Sequence, residues 1–337
     1  MGINIWELLP KKEIEITDLK GKVLAVDASP VIYQFLASIR QRDGTPLMDS
    51  KSRITSHLMG ISTRVTKLMA EGLKLIFCFD GRAPDLKIYE RERREHRKRV
   101  AEEKLKQAQQ EEDTEAMLKY SKQTIRLSDE IISQSKELLN VLGIPVIQSV
   151  SEAEAQCAYI VKQKDAWAVV SQDADALLFG TPRLIRNLTI SQRRRLPSGS
   201  TIQIKPELIE SNQVLKQLKI NQDQLIALGI LVGTDYNVGG IKRIGPKTGL
   251  KLVQQYKNFD NLFEQFKPDF NWKQIYAIFK SMPVMENYQL KWTEPDEEKI
   301  KKLLVDKHDF SLERVEKTLK QVTKKPQQQK GLDSWVK

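Results

Sequence analysis

The chain has 337 residues, of which 40% are hydrophobic and 29% are charged, so it can bury a substantial core and is not a fibrous or disordered polymer. Its 55 Lys and Arg residues outnumber 44 Asp and Glu residues, and the net charge of +11 indicates a polyanionic partner. The longest stretch without a formal charge, residues 138–151, has 14 residues, fewer than the roughly 18 that a membrane-spanning helix needs.

Three segments, residues 22–27, 73–80 and 166–173, are rich in Val, Ile, Leu and aromatic residues without polar alternation. This pattern is typical of strands that are covered on both faces of a parallel sheet. Helical periodicity separates them, at residues 30–40, 55–70, 129–142 and 153–164. The alternation predicts an α/β fold with a mostly parallel central sheet flanked by helices.

A long connection over residues 85–128 is rich in Lys, Arg, Glu and Gln and has few apolar residues. We expect it to be helical and poorly packed, as in a lid or arch, because simple connections are shorter. From residue 205 onward the pattern is mainly helical, with a Gly-rich hairpin inside residues 222–256. We predict one domain over residues 1–325 and a flexible tail over residues 326–337.

Each of the three predicted strands ends at an aspartate. Of four further acids, Asp175 follows the third of these aspartates by two residues, Glu152 and Glu154 open the helix that leads into the third strand, and Asp235 follows the apolar run over residues 225–232. Ligand sites of open α/β sheets lie beyond the carboxyl ends of the strands, so we expect these side chains to converge. The seven acids are Asp27, Asp80, Glu152, Glu154, Asp173, Asp175 and Asp235.

Carboxylates grouped at one site require cations, because each pair at 4 Å repels by about 4 kcal/mol at an effective dielectric near 20. Oxygen ligands without His or Cys select Mg²⁺ or Mn²⁺ over zinc. Two such ions suit in-line attack on a phosphodiester, which indicates hydrolysis of nucleic acid. The alternative is that Asp27, Glu152 and Asp173 cap helices. Recurrence at three strand ends favours the metal site.

Basic residues follow the second strand at helical spacing: Lys87, Arg91, Arg94 and Lys98 lie at i, i+4, i+7 and i+11. Lys87 is close in sequence to Asp80, so we expect it to reach the scissile phosphate, with Arg94 two turns beyond. Arg91 and Lys98 are candidates for DNA binding. A solvated helix face is the alternative for these two, because glutamates are interspersed.

The Gly-rich hairpin ends in Gly245-Pro246-Lys247. Pro246 interrupts the pattern of a nucleotide-binding loop, which argues against an ATPase. Gly-Pro at the start of a helix exposes backbone N–H groups that bind phosphate without reading bases, and Lys247 adds charge. An ordinary turn between two helices is the alternative.

Short motifs around the acids follow one another along nearly the whole chain. They are Asp27-Ala28-Ser29, Phe79-Asp80-Gly81, Ser151-Glu152-Ala153-Glu154, Val170-Ser171-Gln172-Asp173 and Gly233-Thr234-Asp235-Tyr236. In this order they resemble the flap endonucleases, the structure-specific 5′ nucleases of the XPG family. The resemblance implies a PIN-like nuclease fold with a helical arch over the site and a helix-hairpin-helix that binds DNA.

The resemblance also implies roles for individual residues. The seven acids would hold two Mg²⁺ ions, with Mn²⁺ as a substitute, while Lys87 and Arg94 would act on the phosphate. Tyr33 would stack on the nucleotide at the cleavage point, and Gly2, after loss of Met1, would lie near the site.

The hairpin would grip the downstream duplex through Gly240, Gly245 and Lys247 and hold a K⁺ ion. Arg243 stands there where the family usually has glycine. Residues 45–57 resemble the segment that borders a pocket for a one-nucleotide 3′ flap.

The activity that the resemblance implies is hydrolysis of DNA at the junction of a 5′ flap, with 5′–3′ exonuclease activity, in Okazaki-fragment maturation and DNA repair. A related 5′ exonuclease or Holliday-junction resolvase, a non-catalytic clamp-tethered DNA-binding scaffold, and a small ribonuclease remain alternatives. We expect a monomer of archaeal origin, located in the cytoplasm, or in the nucleus if the source is eukaryotic. The two cysteines, Cys78 and Cys157, form no disulfide framework, which fits a reducing compartment.

The end of the chain fits a second motif, the sliding-clamp (PCNA) box Q-x-x-L-x-x-aromatic-aromatic. Its residues are Gln329, Leu332, Trp335 and Val336, with valine at the second aromatic position. Such peptides insert apolar anchors into a groove of the partner. We therefore expect a sliding clamp to bind residues 329–336.

Overall fold

The computed structural model describes residues 2–323, apart from residues 42, 112, 191–192 and 196–199. The strands are β1 (Lys12–Glu13), β2 (Val23–Asp27), β3 (Lys74–Phe79), β4 (Val146–Gln148), β5 (Ala168–Val170), β6 (Arg183–Arg186), β7 (Arg193–Arg195), β8 (Thr201–Gln203) and β9 (Glu207–Glu210). The clamp-box residues Gln329, Leu332, Trp335 and Val336 lie outside the described residues.

The helices of the first half are α1 (Ala28–Ser38), α2 (Ser56–Gly60), α3 (Thr66–Ala70), α4 (Ile88–Gln110), α5 (Thr114–Ser121), α6 (Asp129–Val141), α7 (Ala153–Lys162) and α8 (Asp175–Leu178). Those of the second half are α9 (Ser211–Leu218), α10 (Gln222–Val232), α11 (Pro246–Gln255), α12 (Phe259–Phe266), α13 (Trp272–Ser281), α14 (Glu297–Lys301) and α15 (Leu312–Thr323). Among the described helices, none is long and apolar enough to cross a membrane.

The central sheet has seven strands among the described residues, in the order β1-β9-β6-β5-β2-β3-β4. Strands β4, β3, β2, β5 and β6 run parallel, and β9 is antiparallel to both of its neighbours. The register pairs Asp27 with Cys78, and Val26 with Val170. The carboxyl ends of β2, β3 and β5 therefore meet at one edge, and the predicted mostly parallel α/β fold is confirmed.

Alternate residues of the central strands face two separate hydrophobic cores. Leu24 and Val26 point into the core that includes α1 and α6, whereas Ala25 points into the core that includes α7 and α10. Both faces of β2 are thus covered, which explains why its sequence is apolar without alternation.

The three predicted strands are confirmed to within a few residues, but the sequence pattern missed the six strands β1, β4, β6, β7, β8 and β9. These strands have two to four residues each, too few to establish a period of two. The chain from residue 205 onward is mainly helical over its described residues, as expected, although it also contains β9, which pairs with β6 inside the sheet.

The long basic connection is helical, as expected, and α4 packs along α5. Most of the 23-residue helix α4 is solvated, and its buried residues are Glu90, Ala101 and Ala108. The two helices α10 and α11 pack against each other and are joined by the predicted Gly-rich hairpin.

Candidate active site

The sheet edge gathers the predicted carboxylates. Asp27 ends β2, and Asp80 follows β3 directly. The carboxylate of Asp27 interacts electrostatically with Asp80, Asp173 and Glu152. The remaining acids join through further interactions of the same kind, between Glu154 and Asp175 and between Asp175 and Asp235. The structure therefore brings all seven acids into one group, which we call the carboxylate cluster.

The capping alternative fails for two of the acids that were candidates for it. Asp27 and Glu152 are the N-cap residues of α1 and α7, yet neither side chain accepts a capping hydrogen bond. The start of α7 is capped from another strand, because the Ala153 N–H donates to Asp80 Oδ1 at 2.9 Å. The other oxygen of Asp80 accepts from Ser29 Oγ at 2.5 Å. Asp27 and Glu152 thus remain available to the cluster.

The N-terminal segment is fixed directly against the cluster. The Gly2 N–H donates to Asp173 Oδ1 at 3.0 Å, and the Ile3 N–H donates to Asp175 Oδ1 at 2.6 Å. A Cβ atom on Gly2 would lie 2.7 Å from Asp173 Cβ and from Asp175 Oδ1. Only glycine fits this position without displacing the carboxylates; a contact of Gly2 with DNA stays a prediction.

The base of α4 places two cations on the cluster. Lys87 Nζ lies 2.5 Å from Glu152 Oε2 and 3.4 Å from Asp235 Oδ2. Arg94 Nη2 lies 2.8 Å from the same Asp235 oxygen. The Lys87 ammonium also lies 5.7 Å from the centroid of the Tyr236 ring. The two residues predicted to act on a phosphate are therefore at the site, where the carboxylates hold them.

The other predicted residues of this half lie on α1 and α4. Arg91 is exposed on α4, and Lys98 is half-buried, where burial and the charge of Arg94 lower its pKa. Tyr33 is 37% exposed on α1. Contacts of these three residues with DNA stay predictions.

The hairpin between α10 and α11 requires glycine at one of its predicted positions. Gly240 has φ +56°, and a Cβ there would lie 2.3 Å from the carbonyl oxygen of Leu231. Gly245 is the N-cap residue of α11, and Lys247, 77% exposed, extends from its first turn. Arg243, in the glycine position of the resembled family, adopts φ +68°. The hairpin therefore keeps a left-handed conformation at a non-glycine residue.

Burial and mutual repulsion raise the pKa of four carboxylates of the cluster, those of Asp27, Glu152, Glu154 and Asp175. Burial, followed by the charges of neighbouring acids, raises the pKa of Asp27 and Glu154 well above their usual range. The same causes raise the pKa of Asp175 to about 7. Burial also raises the pKa of Glu152, although the charge of Lys87 opposes the change. The cluster carries negative charge that its protein surroundings do not fully compensate.

The donor set suits hard divalent cations. Asp27 Oδ1 is buried and has no hydrogen-bond partner among the described residues, which leaves an anionic oxygen to be satisfied. Within the described part of the chain, no three acids, histidines or cysteines are already spaced to hold one ion. Lys87 and Arg94 bind Glu152 and Asp235 instead, so these cations neutralise part of the cluster. All seven residues are oxygen donors, as Mg²⁺ and Mn²⁺ prefer.

Sequence reasoning missed three residues of the site. Ser29 and Tyr236 stand next to predicted acids in their motifs, so proximity in sequence was an available signal. Glu90, whose carboxylate contacts Arg94, had none, because glutamates on a charged helix are usually solvated.

Comparison with known proteins adds independent evidence. A profile described as the XPG N-terminal domain matches residues 1–101, and one described as the XPG I-region matches residues 143–235. The catalytic core of Rad2 in complex with DNA substrate has a TM-score of 0.69, with 96% of this chain and 100% of that chain covered. Its identity of 22% shows the shared fold alone. The matched domains and the carboxylate cluster define a nuclease of a metal-dependent family that acts on DNA phosphodiester bonds.

Close relatives specify the family. Flap endonuclease 1 from Hyperthermus butylicus is 47% identical, with 100% of both chains covered, and flap endonuclease 1 from Pyrococcus abyssi is 48% identical, with 99% of this chain and 98% of the relative covered. The structure of flap endonuclease-1 from Methanococcus jannaschii has a TM-score of 0.77 at 41% identity, with 95% of this chain and 98% of that chain covered. The chain belongs to the flap endonuclease family.

Proposed function

We propose that this chain hydrolyses a DNA phosphodiester at the junction between a 5′ flap and the duplex, with two divalent cations held by the carboxylate cluster. The observation that carries the proposal is the meeting of the seven acids with Lys87 and Arg94 at the base of α4. An acidic centre and a phosphate-binding cation pair at one sheet edge fit phosphodiester hydrolysis.

The cations would be held by Asp27, Asp80, Glu152, Glu154, Asp173, Asp175 and Asp235. When bound, Mg²⁺ or Mn²⁺ supplies a water nucleophile at neutral pH and neutralises charge that develops on the leaving oxygen. The buried, unpartnered oxygen of Asp27 supports the assignment.

Residues of the chain itself would bind and orient the DNA. Lys87 and Arg94 would exchange their partners in the carboxylate cluster for the scissile phosphate, because a phosphate offers the same charge-assisted hydrogen bonds. Tyr33, exposed on α1, would stack on the nucleotide at the cleavage point. Gly2 holds the N-terminal segment against Asp173, so that this segment would lie beside the bound substrate.

Duplex binding would rest on the hairpin between α10 and α11. The backbone N–H groups in the first turn of α11, which begins after Gly245, and the side chain of Lys247 suit backbone phosphates and require no base contacts, whereas the N–H that follows Gly240 donates to the Leu231 carbonyl. A K⁺ ion at this hairpin is part of the proposal. Arg91 and Lys98 on α4 would attract the single strand.

A cavity of about 560 Å³ supports a substrate with a 3′ nucleotide beside the flap. It is lined by residues from the loop that includes Leu47 and Thr55 and from the α15 region that includes Phe310 and Arg314. Its volume lies within the range of small-ligand sites. The loop is the segment that resembles the border of a 3′-flap pocket.

A labelled 5′-flap substrate tests the function. Incubation with Mg²⁺ should release the flap and leave a ligatable nick, and EDTA should stop the reaction. Asp27→Ala should abolish cleavage and keep most of the DNA affinity, whereas exposed Asp296→Asn should cleave like the wild type. Parallel nicked and four-way substrates distinguish a flap endonuclease from an exonuclease or a junction resolvase. Preferred cleavage of the four-way junction, or cleavage by Asp27→Ala, would contradict the proposal.

A sliding clamp is the proposed protein partner of residues 329–336. The test compares the full chain with a chain that ends at residue 325, on the same flap substrate with and without the clamp. We expect equal cleavage without the clamp and stimulation of the full chain alone. Gel filtration should show a monomer without the clamp.

A further inference from the structure

Among the described residues of α4, Glu90 is the one charged residue that is buried. It lies in the first turn of α4 and is 3% exposed. Its Oε1 accepts from Arg94 Nε at 2.7 Å and lies 3.4 Å from Arg97 Nη2. Its Oε2 is buried without a hydrogen-bond partner among the described residues. The position of this carboxylate is therefore set by its protein contacts, because solvent hardly reaches it.

The Arg94 guanidinium is held from two sides. Glu90 binds Nε, and Asp235 binds Nη2 at 2.8 Å. The Arg94 side chain is itself 38% exposed, so without these contacts it could adopt many rotamers in solvent. Arginine presents its donors as a planar fork, and fixing one edge sets the direction of the other.

The two partners of Arg94 differ in permanence. Asp235 belongs to the carboxylate cluster, so once the substrate is present divalent cations compete with Arg94 for Asp235, and the phosphate competes with Asp235 for Arg94. Glu90 is separated from the cluster by the guanidinium, and its binding oxygen is shared by Arg94 and Arg97. Glu90 is therefore the partner that Arg94 keeps during the reaction.

We propose that Glu90 is a positioning residue that holds the Arg94 guanidinium so that its Nη groups face the scissile phosphate. The inference rests on the proposed function of the carboxylate cluster and adds a residue to it. It differs from a simple helix-stabilising pair at i and i+4, which solvent-exposed side chains form without burial. It also differs from an eighth metal ligand, because Glu90 Oε1 is already bound by the guanidinium groups of Arg94 and Arg97.

Single-turnover cleavage of the 5′-flap substrate tests the role, with Glu90→Gln, Arg94→Ala and the double variant. Glutamine keeps the length of the side chain but removes the charge that fixes Arg94. We expect Glu90→Gln to slow the cleavage step about tenfold, with DNA affinity in EDTA and the half-saturating Mg²⁺ concentration unchanged. The double variant should be no slower than Arg94→Ala, because Glu90 acts through Arg94.

Glu92→Gln is the matched control, since Glu92 is exposed on the same helix, and it should cleave at the wild-type rate. Thermal unfolding and helical content of each variant identify any loss of folded α4, and Glu90→Asp, which keeps the charge, should restore part of the rate.

Two results would overturn the role of Glu90: an unchanged rate for folded Glu90→Gln, or multiplicative losses in the double variant. A raised Mg²⁺ requirement in Glu90→Gln would make Glu90 a metal ligand instead. Failure of both the wild type and Glu92→Gln to cut the flap would refute the proposed function and leave the Glu90–Arg94 contact as a structural pair.

Discussion

Asp175→Asn should stabilise the protein when divalent ions are absent. Asp175 is buried, and burial and then the charge of Asp235 raise its pKa to about 7, against an ordinary value of 3.8. The folded state therefore binds the proton more tightly than the unfolded chain. The resulting destabilisation is absent below about pH 4, grows as the pH rises, and is complete above about pH 7.

The magnitude follows from the width of this pH window. A pKa change from 3.8 to about 7 corresponds to about 4 kcal/mol at 1.36 kcal/mol per pH unit, and this is an upper bound for Asp175→Asn at pH 8. Asparagine can still accept the Ile3 N–H that now donates to Asp175 Oδ1 at 2.6 Å. We expect a gain of about 2–4 kcal/mol at pH 8 and none at pH 4.

Urea unfolding in EDTA at several pH values measures the effect. Added Mg²⁺ should stabilise the wild type more than the variant, because the variant has lost a proposed ligand. Asp296→Asn is the control: Asp296 is an exposed N-cap whose pKa is lowered by its hydrogen bond to Lys299, so removal of its charge should give no gain. An Asp175→Asn protein that is no more stable than the wild type at pH 8, or equally stabilised at pH 4, would refute the reasoning.

Four further changes probe other parts of the molecule. Lys87→Met should lower the free energy of unfolding in EDTA by about 3 kcal/mol, because breaking a buried ion pair leaves its carboxylates uncompensated. Lys280→Met is the control, since Lys280 belongs to an exposed pair, and it should change the free energy of unfolding by less than about 1 kcal/mol. Urea unfolding compares the two variants. Gly2→Ala should lower the rate of single-turnover cleavage by at least about tenfold, because the alanine Cβ would displace two carboxylates and small misplacements at a reacting centre slow the reaction strongly. The DNA affinity of this variant should be unchanged, which a binding measurement checks. Burial would raise the pKa of Asp49, but hydrogen bonds to its carboxylate outweigh burial and lower the pKa to about 2. The stabilisation of the fold by this carboxylate is present above about pH 4 and is lost as the pH falls toward 2. Acid titration of Asp49→Asn should therefore show a flatter dependence of stability on pH than that of the wild type. Arg243→Gly should raise the melting temperature, because it relieves a left-handed residue at a gain of about 1 kcal/mol, while the salt dependence of DNA binding should decrease if Arg243 contacts a phosphate.

The sequence predicted the parts of the molecule that depend on local pattern. Asp27, Asp80 and Asp173 stand after apolar runs, and parallel pairing of those runs was enough to bring the three carboxylates to one edge. The parallel order could be anticipated because right-handed crossovers leave few other arrangements. The short strand β9 could not be anticipated, since its pairing with β6 depends on contacts that a four-residue segment does not encode.

Long-range contacts explain most of what the sequence did not predict. Gly2 reaches Asp173 across 171 positions, and no local pattern marks that approach. Glu90 and Glu92 are alike in sequence context. They differ in the side of α4 on which they lie: Glu90 is buried and binds Arg94, whereas Glu92 is exposed to solvent. The segment between α13 and α14 also makes a contact that no local pattern marks, because Trp292 Nε1 donates to the carbonyl of Leu75 on β3 at 2.9 Å.

The cluster ties stability and cation binding to the same residues. Backbone N–H groups of Gly2 and Ile3 and the ammonium of Lys87 compensate part of the negative charge. The raised pKa values of Asp27 and Glu154 show that the rest remains uncompensated. Neutralising that charge by protonation, by an asparagine or by Mg²⁺ should therefore stabilise the fold by the same physical route. It follows that these three treatments cannot be additive: each removes repulsion that the others would have removed.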